Sequence, residues 1–272
     1  MRITVETLAM LFLASASVAG QSVEYLTYKS QRDTGGVARA ESALAKDPQN
    51  VVLIARLGAA QVAIREYREA IATYTKGLAL APNDTAFYRE RGHRYLSIRE
   101  FDRAYADLTK GLSLDSMDYG CLYHLGIIQF LRGDFDAASH TFTRALPLAP
   151  DSSERAGSTD WLWMSLSRSG HHAEAQALLD RHPDSVHTNI IYTRRLRLYR
   201  HQVSPDSAFM PADTDDISVA TLSYGIGDWY LVKGDRKKAL DWFGRAIESG
   251  GWPAFGFIAA EVEVKRMQER TH

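Results

Sequence analysis

The residues with the clearest potential for metal chemistry are two adjacent histidines. His171 and His172 precede Glu174, and both residue types are common metal ligands. Adjacent histidines point in different directions on a helix or in a turn, and the nine histidines of the chain form no HExxH arrangement. An exposed turn is therefore favoured over a metal site, and we expect neither a metal ion nor a cofactor.

An arginine-rich segment could bind an anionic polymer or an acidic strip on a partner. Arg194, Arg197 and His201 share one face of a helix at spacings of three and four residues. Three acidic residues follow closely and can neutralise these cations, namely Asp213, Asp215 and Asp216. A solvated, partly paired helix face is favoured. With 32 basic against 33 acidic residues in the whole chain, we expect no nucleic-acid binding.

A catalytic site in the same half of the chain is the alternative function. Asp160, Trp161, His171 and the segment 204–216 lie where the sequence loses the regularity of the preceding residues, and functional sites often break local rules. Such a site would act on a peptide or on peptidoglycan. The chain has no Gly-x-Ser-x-Gly elbow and no glycine-rich phosphate loop. A non-catalytic protein is therefore favoured.

The spacing of prolines indicates which elements carry these residues. Pro82 follows Pro48 by 34 residues, and Pro150 follows Pro82 by twice that distance, with Ser116 at the midpoint. Small residues recur at the same period, and we expect them where two helices cross; they are Gly58, Gly92, Gly126, Ala70, Ala104 and Ala138. Apolar residues within each unit have helical spacing. The sequence therefore predicts an all-α chain of helical hairpins that must stack to bury their apolar faces.

These units resemble the tetratricopeptide repeat (TPR) family. The period of 34, Leu57-Gly58, Ala70, Tyr74 and Pro82 match the motif of that family. The resemblance implies an α-solenoid of stacked TPR hairpins with a divergent C-terminal half and a capping helix. A last unit from Ala220 to Gly250 repeats the pattern, with Gly227 and Ala239 as its packing residues.

The regular and irregular parts divide the chain into five expected segments. They are a signal peptide at 1–19; an N-terminal array at 20–152, made of a partial unit at 20–50 and repeats at 51–84, 85–118 and 119–152; a degenerate hairpin and a helix at 153–203, the helix running from about His187 to Gln202; a loop at 204–216; and a C-terminal unit with its capping helix at 217–272.

The first nineteen residues predict export. Arg2 is followed by a short apolar run from Leu8 to Ala19 that ends in small residues, which is typical of a secretory signal peptide cleaved after Ala19. The run is short for a membrane span and no cysteine lies near the cut, so we expect no stable membrane anchor. The expected location is the periplasm or the medium.

The TPR resemblance also implies a concave groove that binds a protein or peptide partner. Its expected partner-binding residues are Arg89, His93, Tyr123, Ile127 and Phe130. The alternative for Tyr123 and Phe130 is packing against neighbouring helices. Small residues of the first unit, Ala55 and Ala59, with larger ones in the next two units predict a shallow apolar pocket with Arg89 at its edge. The carboxylate clamp found in some family members is excluded by the residues at its places, which are Ala55, Ala59, His93, Tyr123 and Ile127.

The order of the segments resembles the NlpI-like exported bacterial TPR adaptors more narrowly. A Trp-rich degenerate hairpin at Trp161-Leu162-Trp163 and a later Trp229-Tyr230-Leu231 segment carry this resemblance. It implies a scaffold for envelope peptidases or cell-wall hydrolases, and a homodimer is compatible with such a scaffold.

Overall fold

The structure is a computed structural model that describes residues 30–181 and 191–269. Over these residues it contains thirteen α-helices and two short 3₁₀ turns, and it contains no strand. The predicted all-α solenoid is confirmed. The predicted signal peptide at 1–19 and the predicted helix start at His187 lie outside the described residues.

Successive helices pack as antiparallel hairpins. In chain order the α-helices are α1 (Gly36–Leu44), α2 (Val51–Ala63), α3 (Tyr67–Leu80), α4 (Thr85–Ser97), α5 (Phe101–Leu114), α6 (Tyr119–Arg132), α7 (Phe135–Ala145), α8 (Ser152–Arg168), α9 (His172–Arg181), α10 (Ile191–Tyr199), α11 (Asp216–Val232), α12 (Arg236–Glu248) and α13 (Phe255–Glu269). Each predicted repeat holds one hairpin, and the predicted loop at 204–216 holds a 3₁₀ turn at Asp206–Ala208. None of the described helices combines the length and the apolar character needed to cross a bilayer.

The first helix of each repeat begins at a polar residue that recurs with the repeat period. The side chain of Asn50 accepts hydrogen bonds from the N–H groups of Val52 and Leu53, and Asp84 and Asp118 cap α4 and α6 in the same way. A capping side chain satisfies N–H groups that have no partner inside the helix. Local chemistry therefore fixes where each hairpin starts.

Small residues lie where the two helices of a hairpin cross. A Cβ atom on Gly58 would come 2.3 Å from Cε1 of Tyr74, and one on Gly227 would come 2.6 Å from Cδ1 of Phe243. Gly92 and Gly126 make similarly close contacts with Leu108 and Phe142. The four alanines predicted to pack beside these glycines are fully buried; they are Ala70, Ala104, Ala138 and Ala239.

Replacing Gly58 with alanine is expected to lower the free energy of unfolding by about 1–3 kcal/mol. The new methyl group would overlap the buried ring of Tyr74. Gly244 provides a matched control, because it lies within α12 and a Cβ there meets no atom within 4 Å. Alanine at Gly244 should stabilise the helix by about 0.5–1 kcal/mol. Urea unfolding followed by circular dichroism measures both changes, and equal signs for the two variants would contradict the packing role of Gly58.

The turns inside the hairpins use left-handed backbone. Gly133 and Gly234 have φ values of 83° and 81°, which glycine adopts without steric cost. Arg65 and Arg99 occupy the corresponding turns of the first two repeats with φ values of 63° and 65°. A side chain at such a φ is unfavourable, so other contacts must offset the cost at these two arginines.

Those contacts join the first repeats to the residues from Asp216 to Glu269, which we call the C-terminal unit. Arg65 donates two hydrogen bonds to the carboxylate of Asp216, at 2.8 and 3.1 Å. Arg99 donates to Glu261 at 2.7 and 3.0 Å and to the carbonyl oxygen of Trp252 at 2.9 Å. The third turn is also held, because the guanidinium of Arg266 in α13 donates to the carbonyl oxygen of Leu131, near the end of α6, at 2.8 Å. The C-terminal unit therefore closes over the turn ends of three successive repeats.

An apolar contact reinforces this closure. The ring of Trp252 lies 5.1 Å from the ring of Tyr67, and Ile98 and Phe257 belong to the same buried cluster. Trp252 is 1% exposed. We call this contact between the C-terminal unit and the first repeats the closure contact.

Candidate functional site

The first helices of the hairpins line two neighbouring cavities on the groove side of the solenoid. The closure contact covers the turn ends of α2, α4 and α6. The cavities are lined by the first halves of α4 and α6 and by α2 along its length, from Val51 to Val62. Arg89 and Glu90 of α4 belong to the lining of both cavities. The two cavities therefore form a continuous surface.

The apolar cavity lies between α2 and α4 and has a volume of about 470 Å³. Its lining includes a row of small apolar side chains from α2, namely Val51, Val52, Ala55, Ala59 and Val62. Val52 is 56% exposed, which is high for a large apolar side chain. This surface suits an apolar segment of a ligand.

The tyrosine cavity lies between α4, α6, α8 and the start of α13, and has a volume of about 430 Å³. Six aromatic rings contribute to its lining; they are His93, Tyr119, Tyr123, His124, Tyr192 and Phe255. Three carboxylates join them, from Glu90, Asp151 and Glu154. The hydroxyl of Tyr119 donates to Glu154 at 2.9 Å, which orients both side chains at the edge of the cavity.

Arg89 lies between the two cavities and is already paired. Its guanidinium donates to Asp118 at 2.8 Å and to Glu90 at 3.2 Å. Burial lowers the pKa of Arg89, but the two carboxylates outweigh that effect and raise it. The side chain crosses α6 at Gly120, where a Cβ would come 2.3 Å from Cδ of Arg89. Glycine at position 120 thus lets the arginine reach Asp118.

Two histidines form the floor of the tyrosine cavity. The rings of His93 and His124 lie 3.9 Å apart, and both pack against Phe255. Burial lowers the pKa of His124 to about 3, and nearby Arg94 and Arg89 act in the same direction. Burial also holds the pKa of His93 well below its usual value. Both rings are therefore neutral at neutral pH.

Three of the five groove residues named from the sequence lie together. Arg89, His93 and Tyr123 line the tyrosine cavity, although Tyr123 is only 6% exposed. Ile127 and Phe130 are not open to the groove, because both side chains are buried, at 0% and 1% exposed. The ring of Phe130 lies 5.2 Å from the ring of Trp161. The open part of α6 is its first half, which lines the tyrosine cavity, whereas Phe130 is buried against its neighbours.

The residues of the alternative catalytic site do not converge. Asp160 and Trp161 are buried in the middle of α8, and Asp160 lies 3.0 Å from the guanidinium of Arg195. Burial raises the pKa of Asp160 to about 7, while Arg195 opposes the shift. His171 lies on the surface after the end of α8, about 16 Å from Asp160 along the helix rise. A shifted carboxyl can indicate a functional site, but this one is sealed from solvent.

His171 forms part of an exposed turn. Its ring nitrogens lie 3.2 Å from Asp136 and 3.3 Å from Glu174. Within the described ranges, no three His, Cys, Asp or Glu side chains are grouped to hold a metal ion.

Of the three residues expected to share a solvated, partly paired helix face, Arg197 and His201 are exposed, and only Arg194 departs from the expectation. Arg194 is buried and donates to Asp213 at 2.8 Å and to the carbonyl of Ala208 at 2.9 Å. Arg197 is exposed, and His201 packs near the ring of Trp229 at 5.8 Å. Arg194 of α10 therefore binds the 204–216 segment to the rest of the fold.

Sequence reasoning missed several residues of the tyrosine cavity. Tyr119 stands directly after the Asp118 cap, the position of Val51 and Thr85 in the preceding repeats, so the repeat register could have identified it. Tyr192 and Phe255 come from distant segments without that register, and only the folded chain brings them to α6.

The comparisons with known proteins agree with this architecture. A family model described as "Tetratricopeptide repeat" matches residues 53–86, and no curated protein matches the chain. A solved tetratricopeptide repeat protein from Parabacteroides merdae is 18% identical, with 91% of this chain and 96% of that chain covered and a TM-score of 0.54. YrrB, a TPR protein with an unusual peptide-binding site, is 18% identical, with 77% and 91% covered and a TM-score of 0.49.

The narrower resemblance to the NlpI-like adaptors stays a prediction. Three observations agree on a tetratricopeptide repeat fold. They are the hairpins of 34 residues, the glycine and alanine crossings, and the fold shared with the Parabacteroides merdae protein. The described residues have the stacked-hairpin fold of a solved tetratricopeptide repeat protein, and residues 53–86 match the model of that family.

Proposed function

We propose that the protein is a non-catalytic scaffold that binds a protein or peptide partner across the apolar and tyrosine cavities. One observation carries this proposal: the closure contact covers the turn ends of the first helices, yet two cavities that share Arg89 and Glu90 stay open beside it. Their volumes of about 470 and 430 Å³ suit several side chains of a peptide segment.

The walls of the two cavities are held in place by internal contacts. Asp118 fixes Arg89, Glu154 orients Tyr119, and Phe255 is fixed by the packing of α13. A receptor that is already ordered loses little conformational entropy when it binds. This preorganisation supports binding of a flexible segment, whose own ordering is then the main entropic cost.

The site of action in this proposal is outside the cytoplasm. Its support is the sequence of residues 1–19, with the charged start, the short apolar run and the small residues before Gly20. Amino-terminal sequencing of the protein purified from its native host tests this part. A mature chain that begins at Gly20 is the expected result, and a chain that retains residues 1–19 would contradict it.

Replacing Ala59 with arginine is expected to reduce partner recovery at least about tenfold, because an unpaired charge would be buried under an apolar ligand. The tagged protein is used to capture partners from a native extract, which are then identified and quantified by mass spectrometry. Ala59 is exposed in the free protein, so the substitution should leave the fold intact.

Ala72→Arg is the matched control for this experiment. Ala72 is equally exposed but lies on α3, outside the lining of both cavities. A true groove partner is recovered with the wild type and with Ala72→Arg, and is lost with Ala59→Arg. Partners recovered equally by all three proteins would remove the groove from the proposed function.

A further inference from the structure

The charge of the tyrosine cavity is unbalanced. Its lining contains three carboxylates, from Glu90, Asp151 and Glu154, and Arg89 is the only arginine or lysine among the lining residues. The positive charge of Arg89 is shared between Glu90 and Asp118. Asp151 accepts hydrogen bonds from the N-terminal turn of α8, whereas among residues 30–181 and 191–269 the one side-chain donor to Glu154 is the hydroxyl of Tyr119. The cavity therefore keeps a net negative charge at its edge.

The histidines do not compensate this charge. His93 and His124 line the same cavity, but burial lowers the pKa of each ring below neutrality, to about 3 for His124. They contribute neutral, flat surfaces to the floor at neutral pH.

The walls of the cavity are aromatic. The rings of Tyr119, Tyr192 and Phe255 are partly exposed at the cavity, and Tyr119 stacks on Tyr123 at 5.7 Å. The face of an aromatic ring attracts a cation, and the attraction grows when the cation is partly desolvated. Aromatic walls with carboxylates at the edge are complementary to a cation on an apolar stem.

We propose that the tyrosine cavity holds the cationic side chain of a partner peptide, a lysine or an arginine, while an adjacent apolar side chain of the same peptide lies in the apolar cavity. This inference rests on the proposed function and specifies the chemistry of its partner. Glu154 supplies the counter-charge, and the tyrosine rings contact the methylene stem and the charged group. Arg89 and Glu90 connect the two cavities, so one short segment can reach both.

Three blocked synthetic peptides test the proposal by fluorescence anisotropy with the full chain. The first has two leucines followed by lysine within a glycine-serine frame, and the other two carry norleucine or glutamate in place of the lysine. The lysine peptide should bind at least about tenfold more tightly than the norleucine peptide at low ionic strength. The ratio should fall as salt is raised, and the glutamate peptide should bind most weakly.

The variant Glu154→Gln removes the counter-charge with little change in shape. It should reduce the ratio of lysine to norleucine affinity to about two or less while leaving the norleucine peptide unaffected. Glu90→Gln is a second variant with the same expected direction, should Glu154→Gln disturb α8. Glu69→Gln is the matched control, because Glu69 is an exposed carboxylate on α3 outside both cavities, and its ratio should equal that of the wild type.

Two outcomes overturn the cation inference. Equal affinity of the wild type for the lysine and norleucine peptides would show that the cavity does not recognise charge. No binding by any of the three peptides would equally reject it. The proposed function fails by a different result, equal partner recovery by Ala59→Arg and Ala72→Arg, so the two failures are distinguishable.

Discussion

Replacing Asp160 with alanine is expected to lower the free energy of unfolding by about 3–5 kcal/mol. Asp160 and Arg195 are both fully buried and lie 3.0 Å apart, so the substitution would leave the guanidinium in the core without its carboxylate. The surroundings are built around this arginine, because a Cβ on Gly225 would come 1.9 Å from its Nε atom.

Urea unfolding of the full chain, followed by circular dichroism, measures this loss. Arg197→Ala is the matched control, since Arg197 is exposed on the same helix as Arg195, and its effect should stay within about 0.5 kcal/mol. The double variant Asp160→Ala with Arg195→Met should recover part of the loss, because removing both charges avoids an unpaired one. A loss below about 1 kcal/mol for Asp160→Ala would show that the pair is not a structural requirement.

The repeat could be predicted from the sequence because its determinants are local. Gly58 and Ala70 are separated by 12 residues and make the crossing of one hairpin, and Pro82 follows the end of the same hairpin. Asn50 caps the helix that carries Gly58. Each of these features acts within one unit of 34 residues, so a periodic pattern is enough to reveal it.

The closure contact could not be predicted in this way. Arg65 and Asp216 are separated by 151 residues, and Arg99 and Glu261 by 162, so no local pattern relates them. One signal was present in the register: arginine occupies two turns where Gly133 shows that left-handed backbone is required. An unfavourable residue at a repeated position indicates a compensating contact, but the sequence does not name the partner.

The candidate site was partly predictable for the same reason. Repeat geometry led to Arg89, His93 and Tyr123, which lie on the open parts of α4 and α6. The same geometry led to Ile127 and Phe130, because an open groove exposes the full length of each first helix. In this chain Ile127 and Phe130 are buried, and the second half of α6 contacts Trp161 of α8 and Arg266 of α13. The register of a repeat predicts on which face of its helix a residue lies. Whether that face is exposed depends on segments that are distant in sequence.

Replacing Trp252 with alanine is expected to lower the free energy of unfolding by about 3–5 kcal/mol and to open the closure contact. The indole is 1% exposed and packs against Tyr67, and its backbone carbonyl accepts a hydrogen bond from Arg99. The cavity left by the ring would lie between the first repeats and the C-terminal unit. Arg65 and Arg99 would then keep their unfavourable left-handed backbone, while the contacts that offset its cost would be weaker.

Hydrogen–deuterium exchange resolves where the Trp252→Ala variant loosens. Faster exchange is expected in α13 and in the first two hairpin turns, with slow exchange retained in α6 and α7. Trp242→Ala is the matched control, because Trp242 is half-buried on α12 against Phe209 and does not contribute to the closure contact.

Since α13 carries Phe255, an opened closure contact also removes one wall of the tyrosine cavity. Trp252→Ala should therefore weaken binding of the lysine peptide, whereas Trp242→Ala should not. Uniformly faster exchange throughout the chain, with no preference for α13 and the turns, would mean that Trp252 stabilises the solenoid as a whole rather than its closure.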